Sequence, residues 1–295
     1  MDTETKITSF FRCKTKKINE EKKTLEKGWP LNSESLNKSK LGWHISKQGK
    51  YLNSLKIFNE IIHGKWIHCP VQIFTGSTKM WRRAVIDEKD IELSNQYIKE
   101  NSINLFIHSI YLINLCRIGS EFNKAYDALL YDLKVGEKIG ALGVVVHVGK
   151  CLKMGKETGT NNMIKNILSI LNEIDGSCPL LLETPAGEGT ELLVTFEEFD
   201  EFYNKFHDIH KKKFKICIDT CHVFASGYDP EDYLIRWNIK NPGSISLVHF
   251  NDSKCECGSK KDRHAAFGKG YIGAEKLNRI ENWCANLDIP MVREW

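Results

Sequence analysis

Six short apolar runs in this chain each end on a side chain able to bind a metal. They are Asn104-Leu-Phe-Ile-His108, Gly143-Val-Val-Val-His147, Pro179-Leu-Leu-Leu-Glu183, Lys215-Ile-Cys-Ile-Asp219, Ser246-Leu-Val-His249 and Pro290-Met-Val-Arg-Glu294. Apolar runs of this length, bounded by turn residues, read as buried parallel strands. In a closed parallel barrel the C-terminal strand ends converge on one mouth. Residues spread from position 108 to position 294 then meet in one place. A carboxylate buried at a strand end costs several kcal/mol unless it is compensated. A lone His or Asp there reads as a loop cap, whereas three His, two Glu and one Asp together read as a metal cluster.

Helix-like segments alternate with the strands. The spacing predicts strands at 41–46, 67–75, 103–109, 141–148, 178–184, 214–219, 245–251 and 289–294, with helices at 50–63, 87–100, 119–139, 160–175, 196–210, 230–239 and 273–286. Residues 120–139 carry the clearest helical period, with Phe122, Ala125, Tyr126, Leu129, Leu130 and Leu133 on one face. The pattern predicts an α/β protein, a (β/α)₈ TIM barrel over residues 41–295 without its final helix. A gap between the first and last strands is expected, partly covered by the N-terminal segment. The strand end bearing Glu294 is expected to fray, making its metal the most easily lost.

Residues 1–40 read as a separate, flexible polar tail. They hold ten basic and six acidic side chains, which accounts for the whole net charge of +4. The remainder is balanced, so bulk charge does not announce a nucleic-acid partner. No segment is long and apolar enough to span a bilayer, and the N-terminus lacks a signal-peptide core. The ten cysteines are dispersed, without Cys-x-x-Cys pairs. They read as reduced thiols, which places the expected compartment inside the cell, in nucleus or cytoplasm.

Two further segments follow strand ends: Asp219-Thr-Cys-His222, and His249-Phe-Asn-Asp-Ser-Lys leading to Gly258-Ser-Lys-Lys-Asp262-Arg-His264. A single Asp-x-His is a weak signal, but these segments together with the six strand ends are a strong one. With Gly42-Trp-His-Ile-Ser, Val71-Gln-Ile-Phe-Thr-Gly-Ser, His108-Ser-Ile-Tyr111-Leu, Leu182-Glu183-Thr-Pro-Ala-Gly-Glu-Gly and Phe267-Gly-Lys-Gly-Tyr-Ile-Gly273, the chain resembles the endonuclease IV family of apurinic/apyrimidinic endonucleases from about Gly42 to Glu294.

The resemblance implies three zinc ions and hydrolysis of the DNA backbone 5′ to abasic sites, with trimming of blocked 3′ ends. By position, His108, His147 and Glu183 would hold the first ion. Glu183, Asp219, His249 and Glu294 would hold the second, and His222, Asp262 and His264 the third. Glu183 would be the catalytic bridge. Lys79, Trp81, Tyr111 and Leu112 would contact DNA, Lys79 standing where Arg is more usual. Arg82, Arg83, Lys260, Lys261 and Lys269 are candidate phosphate contacts. Cys221 reads as a packed thiol, and His207 and His210 carry no assignment.

In the tail, Glu4-Thr-Lys-Ile7-Thr-Ser-Phe10-Phe11 is similar to sliding-clamp-binding peptides, with Ile7, Phe10 and Phe11 as the anchors. The expected partner is otherwise double-stranded DNA with abasic sites, and the expected state is a monomer. Two other readings stand beside this one. A sugar isomerase on a similar barrel would favour carboxylates and Lys over His. A damaged-DNA binder without turnover would fit the departure at Arg293-Glu294-Trp295, where the family usually has an apolar residue, Glu and Thr or Ser.

Overall fold

The computed structural model describes residues 40–47, 49–61 and 69–294. The expectations for the tail, Ile7, Phe10 and Phe11 included, lie outside these residues. Eight parallel strands form the sheet: β1 (Leu41–Ile45), β2 (Pro70–Phe74), β3 (Asn104–His108), β4 (Val144–His147), β5 (Leu180–Glu183), β6 (Phe214–Asp219), β7 (Ile245–His249) and β10 (Met291–Arg293). They close into a barrel in the order β1-β10-β7-β6-β5-β4-β3-β2. A small antiparallel hairpin, β8 (Asp252–Ser253) with β9 (His264–Ala265), stands beyond β7. Among the described residues no helix is long and apolar enough to cross a membrane, and no described cysteine is disulfide-bonded.

The expected gap in the sheet is absent. β1 pairs with β10 directly, Leu41 opposite Met291 and Trp43 opposite Arg293. Lys40 O also accepts from the Met291 N–H at 2.8 Å. Backbone pairing therefore closes the barrel with no helix needed at the seam.

Side-chain alternation sets the site. Phe106, Val145, Leu181, Cys217, Leu247 and Val292 form one buried apolar layer, contributed by six strands. Successive residues of a strand face opposite sides, so the residue two places later returns to the same face. Two places on stand His108, His147, Glu183, Asp219, His249 and Glu294. Each of the six polar side chains thus sits one layer above a hydrophobic plug that keeps water out from below.

Most helices match the sequence reading: Glu88–Glu100, Gly119–Ile139, Pro230–Lys240 and Ala274–Asn286 fall within a residue of expectation. The expected helix over 196–210 is instead two, Phe196–Tyr203 and Asp208–Lys211. Asn204 ends the first by donating its amide to Asp200 O at 3.0 Å. The break turns Phe206 into the core, with its ring 4.6 Å from that of Phe214. A short helix, Thr220–Ala225, went unread because six residues carry too little periodicity.

Gly42 marks a tight approach in β1. A Cβ at this position would lie 1.6 Å from Pro70 O, a backbone atom that cannot swing aside. Gly42→Ala is expected to force β1 and β2 apart and cost about 3 kcal/mol. That is roughly 6–12 °C of melting temperature for a chain of this size. Thermal denaturation checks it, and an unchanged midpoint would show that the strands yield freely.

Candidate metal centre

The strand ends and the two downstream segments place nine titratable side chains around one point of the barrel mouth. Glu183 lies at the centre and is 1% exposed. Its Oε2 stands 3.4 Å from His108 Nε2 and 3.1 Å from His147 Nε2. Its Oε1 is 2.8 Å from His249 Nδ1, which is also 3.2 Å from Glu294 Oε2 and 3.8 Å from Asp219 Oδ2. On the far side, Asp262 reaches His222 Nε2 at 3.2 Å and His264 Nε2 at 2.9 Å. The donor atoms group as His108–His147–Glu183, as Glu183–Asp219–His249–Glu294 and as Asp219–His222–His264, each within 4.8 Å. Cys221 Sγ comes equally close to Asp262 and His264. Burial raises its thiol to about 12, so it faces the group as a neutral packed side chain.

Local folding explains the three-residue step from Asp219 to His222. Asp219 is the N-cap of the helix Thr220–Ala225, and its Oδ1 accepts from the His222 N–H at 2.8 Å. The cap fixes the His222 backbone while leaving Asp219 Oδ2 turned to the centre. Asp262 and His264 arrive by a different route. The β8–β9 hairpin holds His264, and Glu188 Oε1 accepts from the Asp262 N–H at 2.9 Å.

The imidazoles are oriented by their outer nitrogens. His108 Nδ1 donates to Ser109 O at 2.7 Å, and His222 Nδ1 donates to Thr184 O at 2.8 Å. A carbonyl can only accept, so both Nδ1 atoms carry a proton and both Nε2 atoms face inward. His249 is held the other way round. Its Nε2 donates to Gln72 Oε1 at 2.9 Å, which leaves Nδ1 toward the carboxylates.

These donors suit cations. Glu183 Oε2, His222 Nε2 and His264 Nε2 are buried and form no hydrogen bond, although oppositely charged atoms lie within about 3 Å. Atoms that approach so closely without aligning on one another are aimed at common points between them. Buried polar atoms left unpaired cost about 1–3 kcal/mol each, and divalent ions would satisfy them together. Imidazole with carboxylate and no thiolate suits zinc at a catalytic site.

The electrostatics agree. Burial pushes the Glu183 carboxyl up, but His147, His249 and His108 outweigh it and hold it well below the usual range. Asp262 and Glu294 are likewise held below the usual range by surrounding imidazoles despite burial. Burial would lower His222 and His249. Asp219, Asp262 and Glu183 around the one, and Cys217, Glu294 and Glu183 around the other, hold both well above the usual imidazole range. In the metal-free protein, protons therefore do the work of cations.

The consequence for pH has a definite sign. The two imidazoles bind protons more tightly folded than unfolded, so their stabilisation is full below the unfolded pKa of about 6.5 and is lost as pH rises through the raised folded values. The depressed carboxylates contribute above about pH 4 and lose that contribution only in strong acid. Metal binding needs neutral imidazoles and strengthens as pH rises. The melting-temperature gap between zinc-loaded and metal-free protein is expected to widen from about pH 6 to about pH 9. A gap that stays constant in thermal scans would contradict this charge balance.

Sequence reading missed three groups. Gln72, fully buried in β2, accepts from His249 and donates to Glu294 Oε1 at 2.8 Å. Its signal was an amide inside the apolar run Val71-Gln-Ile-Phe. Asn251 donates to Asp219 Oδ2 at 2.7 Å and accepts from the Glu294 N–H at 3.0 Å. His44, on β1, has Nδ1 2.9 Å from Gln72 Nε2 and 3.5 Å from Glu294 Oε1. Glu294 is therefore gripped by side chain and backbone. Arg293 points the other way, buried, with its guanidinium 5.5–5.9 Å from the rings of Trp43, Phe250 and Phe267. Its departure from the family pattern leaves Glu294 facing the centre.

A cleft of about 570 Å³ opens beside the cluster. Trp81, Tyr111 and Leu112 line it together with His147, His222 and Asp262. Tyr111 is 57% exposed and meets the His147 ring edge-on at 5.4 Å. Lys79 is exposed on the loop beside it but does not line the cleft. Arg82, Lys260, Lys261 and Lys269 are at least partly exposed, as phosphate contacts require. Arg83 is not available in this way: its guanidinium nitrogens are buried.

Comparison with known proteins follows the same lines. Residues 71–280 match the family described as xylose isomerase-like TIM barrel. The chain is 31% identical over 262 residues to a probable endonuclease 4 of Staphylococcus aureus (strain JH9), covering 86% of each protein. It superimposes on the crystal structure of endonuclease IV from Thermus thermophilus with a TM-score of 0.73 and 27% identity, over 86% of this chain and 91% of that one. A D-tagatose 3-epimerase-like protein shares the fold, with a TM-score of 0.63 at 17% identity, over 86% of this chain and 89% of that one.

Proposed function

The chain belongs to the endonuclease IV family, and on that premise we propose that it is a zinc-dependent endonuclease of DNA base excision repair. It hydrolyses the phosphodiester 5′ to an abasic site, leaving a 3′-hydroxyl and a 5′-deoxyribose phosphate, and trims blocked 3′ ends. The observation that carries this reading is the set of nine side chains, each of a type that binds zinc, gathered at one barrel mouth with their donor atoms turned inward. The cofactor is three zinc ions, one held by His108, His147 and Glu183, one by Glu183, Asp219, His249 and Glu294, and one by His222, Asp262 and His264, with Asp219 close to the last. Bound there, they would neutralise the phosphate oxygens and supply a nucleophile at neutral pH.

The chain's own residues have separate tasks. Glu183 places one oxygen toward His108 and His147 and the other toward His249, and so spans two of the groups. Gln72, Asn251, Ser109 O and Thr184 O fix the donors' directions, so that little reorganisation is needed when the charge of the transition state develops. Tyr111, Leu112 and Trp81 offer apolar surface at the entrance of the cleft, where a strand lacking one base can be displaced into the site. Displacement costs least where no base must be unstacked, which gives selectivity for the lesion.

The fold alone leaves sugar isomerisation open, since the epimerase-like barrel shares it. The donor set favours the nuclease, with five imidazoles beside four carboxylates among the gathered side chains. The deciding experiment is incubation with a short duplex bearing one abasic analogue, followed by identification of the product ends. Zinc-loaded protein is expected to nick 5′ to the analogue far faster than it nicks intact duplex. Chelator-treated protein is expected to be inert until zinc is returned. Metal-free protein that incises at the full rate would overturn the reading.

A further inference from the structure

The loop after β2, residues 75–87, carries Lys79 and Trp81 outward. Two residues beyond Trp81 it turns Arg83 inward. Nε and both terminal nitrogens of Arg83 are buried and form no hydrogen bond. One of them lies 3.4 Å from where a Cβ on Gly76 would stand, so the guanidinium tucks under the start of its own loop. Beneath the loop is Asp132, fully buried in the helix Gly119–Ile139. Its Oδ1 accepts from Thr75 Oγ1 at 2.6 Å, while Oδ2 is buried and without a hydrogen bond. Burial raises the Asp132 carboxyl to about 6, still low enough for it to be largely charged at neutral pH, and Arg83 is within electrostatic reach of it. Thr75 is tied from the other side, its carbonyl accepting from Lys47 Nζ at 3.1 Å and Tyr51 Oη at 3.4 Å.

The first residue of the loop and Arg83 thus both bear on one buried carboxylate, Thr75 by a hydrogen bond and Arg83 by its charge from a guanidinium tucked against Gly76. A guanidinium taken out of water is costly unless an opposite charge answers it. A loop surrounded by solvent has no need to bury one, so its burial indicates a restraint on the loop.

We propose that Arg83 is a positioning residue that, with Asp132, clamps loop 75–87 from beneath and fixes Trp81 at the cleft and Lys79 beside it before DNA arrives. The inference rests on the endonuclease reading for the loop's purpose, but the clamp itself is a property of the free protein. Holding a loop in its binding conformation removes part of the ordering cost of association and leaves the chemical step alone.

The test uses the full chain with Arg83→Met, which keeps the apolar stem, and Asp132→Asn, which keeps the shape. Chymotryptic cleavage after Trp81 is expected to speed up about tenfold in both variants. KM for an abasic duplex is expected to rise about tenfold with kcat within about twofold, and bound zinc to stay at the wild-type level. Arg83→Lys, which retains the charge, is expected to recover part of the KM. Unchanged loop cleavage with unchanged KM would overturn the clamp, as would a fall in kcat at constant KM. If Arg83→Met melts without cooperativity, Asp132→Asn decides by the same readouts. Wild-type protein that incises no abasic duplex sinks the endonuclease reading, and loop proteolysis still decides the role of Arg83.

Discussion

Glu183→Ala is expected to lower kcat/KM on an abasic duplex by about three orders of magnitude or more, and to lower the bound-zinc count with it. The reasons are geometric and electrostatic. The two oxygens of Glu183 serve different partners, Oε2 toward His108 and His147 and Oε1 toward His249. Removing them leaves two groups short of a donor and leaves His147, His222 and His249 without a carboxylate that holds their protonation high. One negative charge fewer then offsets the divalent cations gathered at the mouth, so each is held less tightly. Glu183→Gln keeps one oxygen donor and the shape but removes the charge, and should fall between Ala and wild type in zinc content. Steady-state incision and metal analysis of the same preparations check the prediction. A loss of less than about tenfold in Glu183→Ala would remove this residue from the centre of the mechanism.

The second large effect is expected from a residue that holds no ion. Gln72→Leu should weaken zinc binding about 10–100-fold, as loss of an orienting partner typically does. The Gln72 amide accepts from His249 Nε2 and donates to Glu294 Oε1, so one side chain directs two members of the same donor group. Leu fills the volume and offers neither contact. His249 is then free to rotate or to change tautomer, and Glu294 loses one of the groups that hold it, keeping Asn251 and His44. Competition with a chelator of known affinity measures the effect. The ions should be lost unequally, the group of Glu183, Asp219, His249 and Glu294 first. Wild-type affinity in Gln72→Leu would show that strand geometry alone sets these ligands.

The barrel and its polar layer were legible because both depend on the two-residue period. Val145 and His147, or Leu181 and Glu183, declare which face is inward without any knowledge of the neighbouring strand. The supporting shell was not legible in the same way. Gln72, Asn251 and His44 act across 28 to 222 positions of sequence, and each becomes recognisable only when its partner is beside it. Arg83 was read as a surface cation because charge in a loop ordinarily seeks water, yet its nitrogens are buried. The closed seam was also unread. The number of helices said nothing of whether Leu41 and Met291 would pair. The break at Asn204 depends on Phe206 finding Phe214, a tertiary contact that no local propensity encodes.

Five of the nine gathered side chains end barrel strands and a sixth, Glu294, directly follows one, and the cleft residues Trp81, Tyr111 and Leu112 stand on the loops above them. This separation gives the two functions different freedom to vary over generations. Loops can lengthen, shorten or change composition with little disturbance of a strand end, so the surface proposed to meet DNA can drift while the metal-binding layer stays constant. His222, Asp262 and His264 are the exception. They hang on a helical turn, a loop and a hairpin, and the latter two lean on Glu188 and the β8–β9 pairing. An insertion between residues 253 and 262 would move Asp262 and His264 together while leaving the six at the strand ends in place. Among descendants of a common barrel, that corner is where the chemistry has most room to diverge, and the two deeper groups are where ancestry should be read.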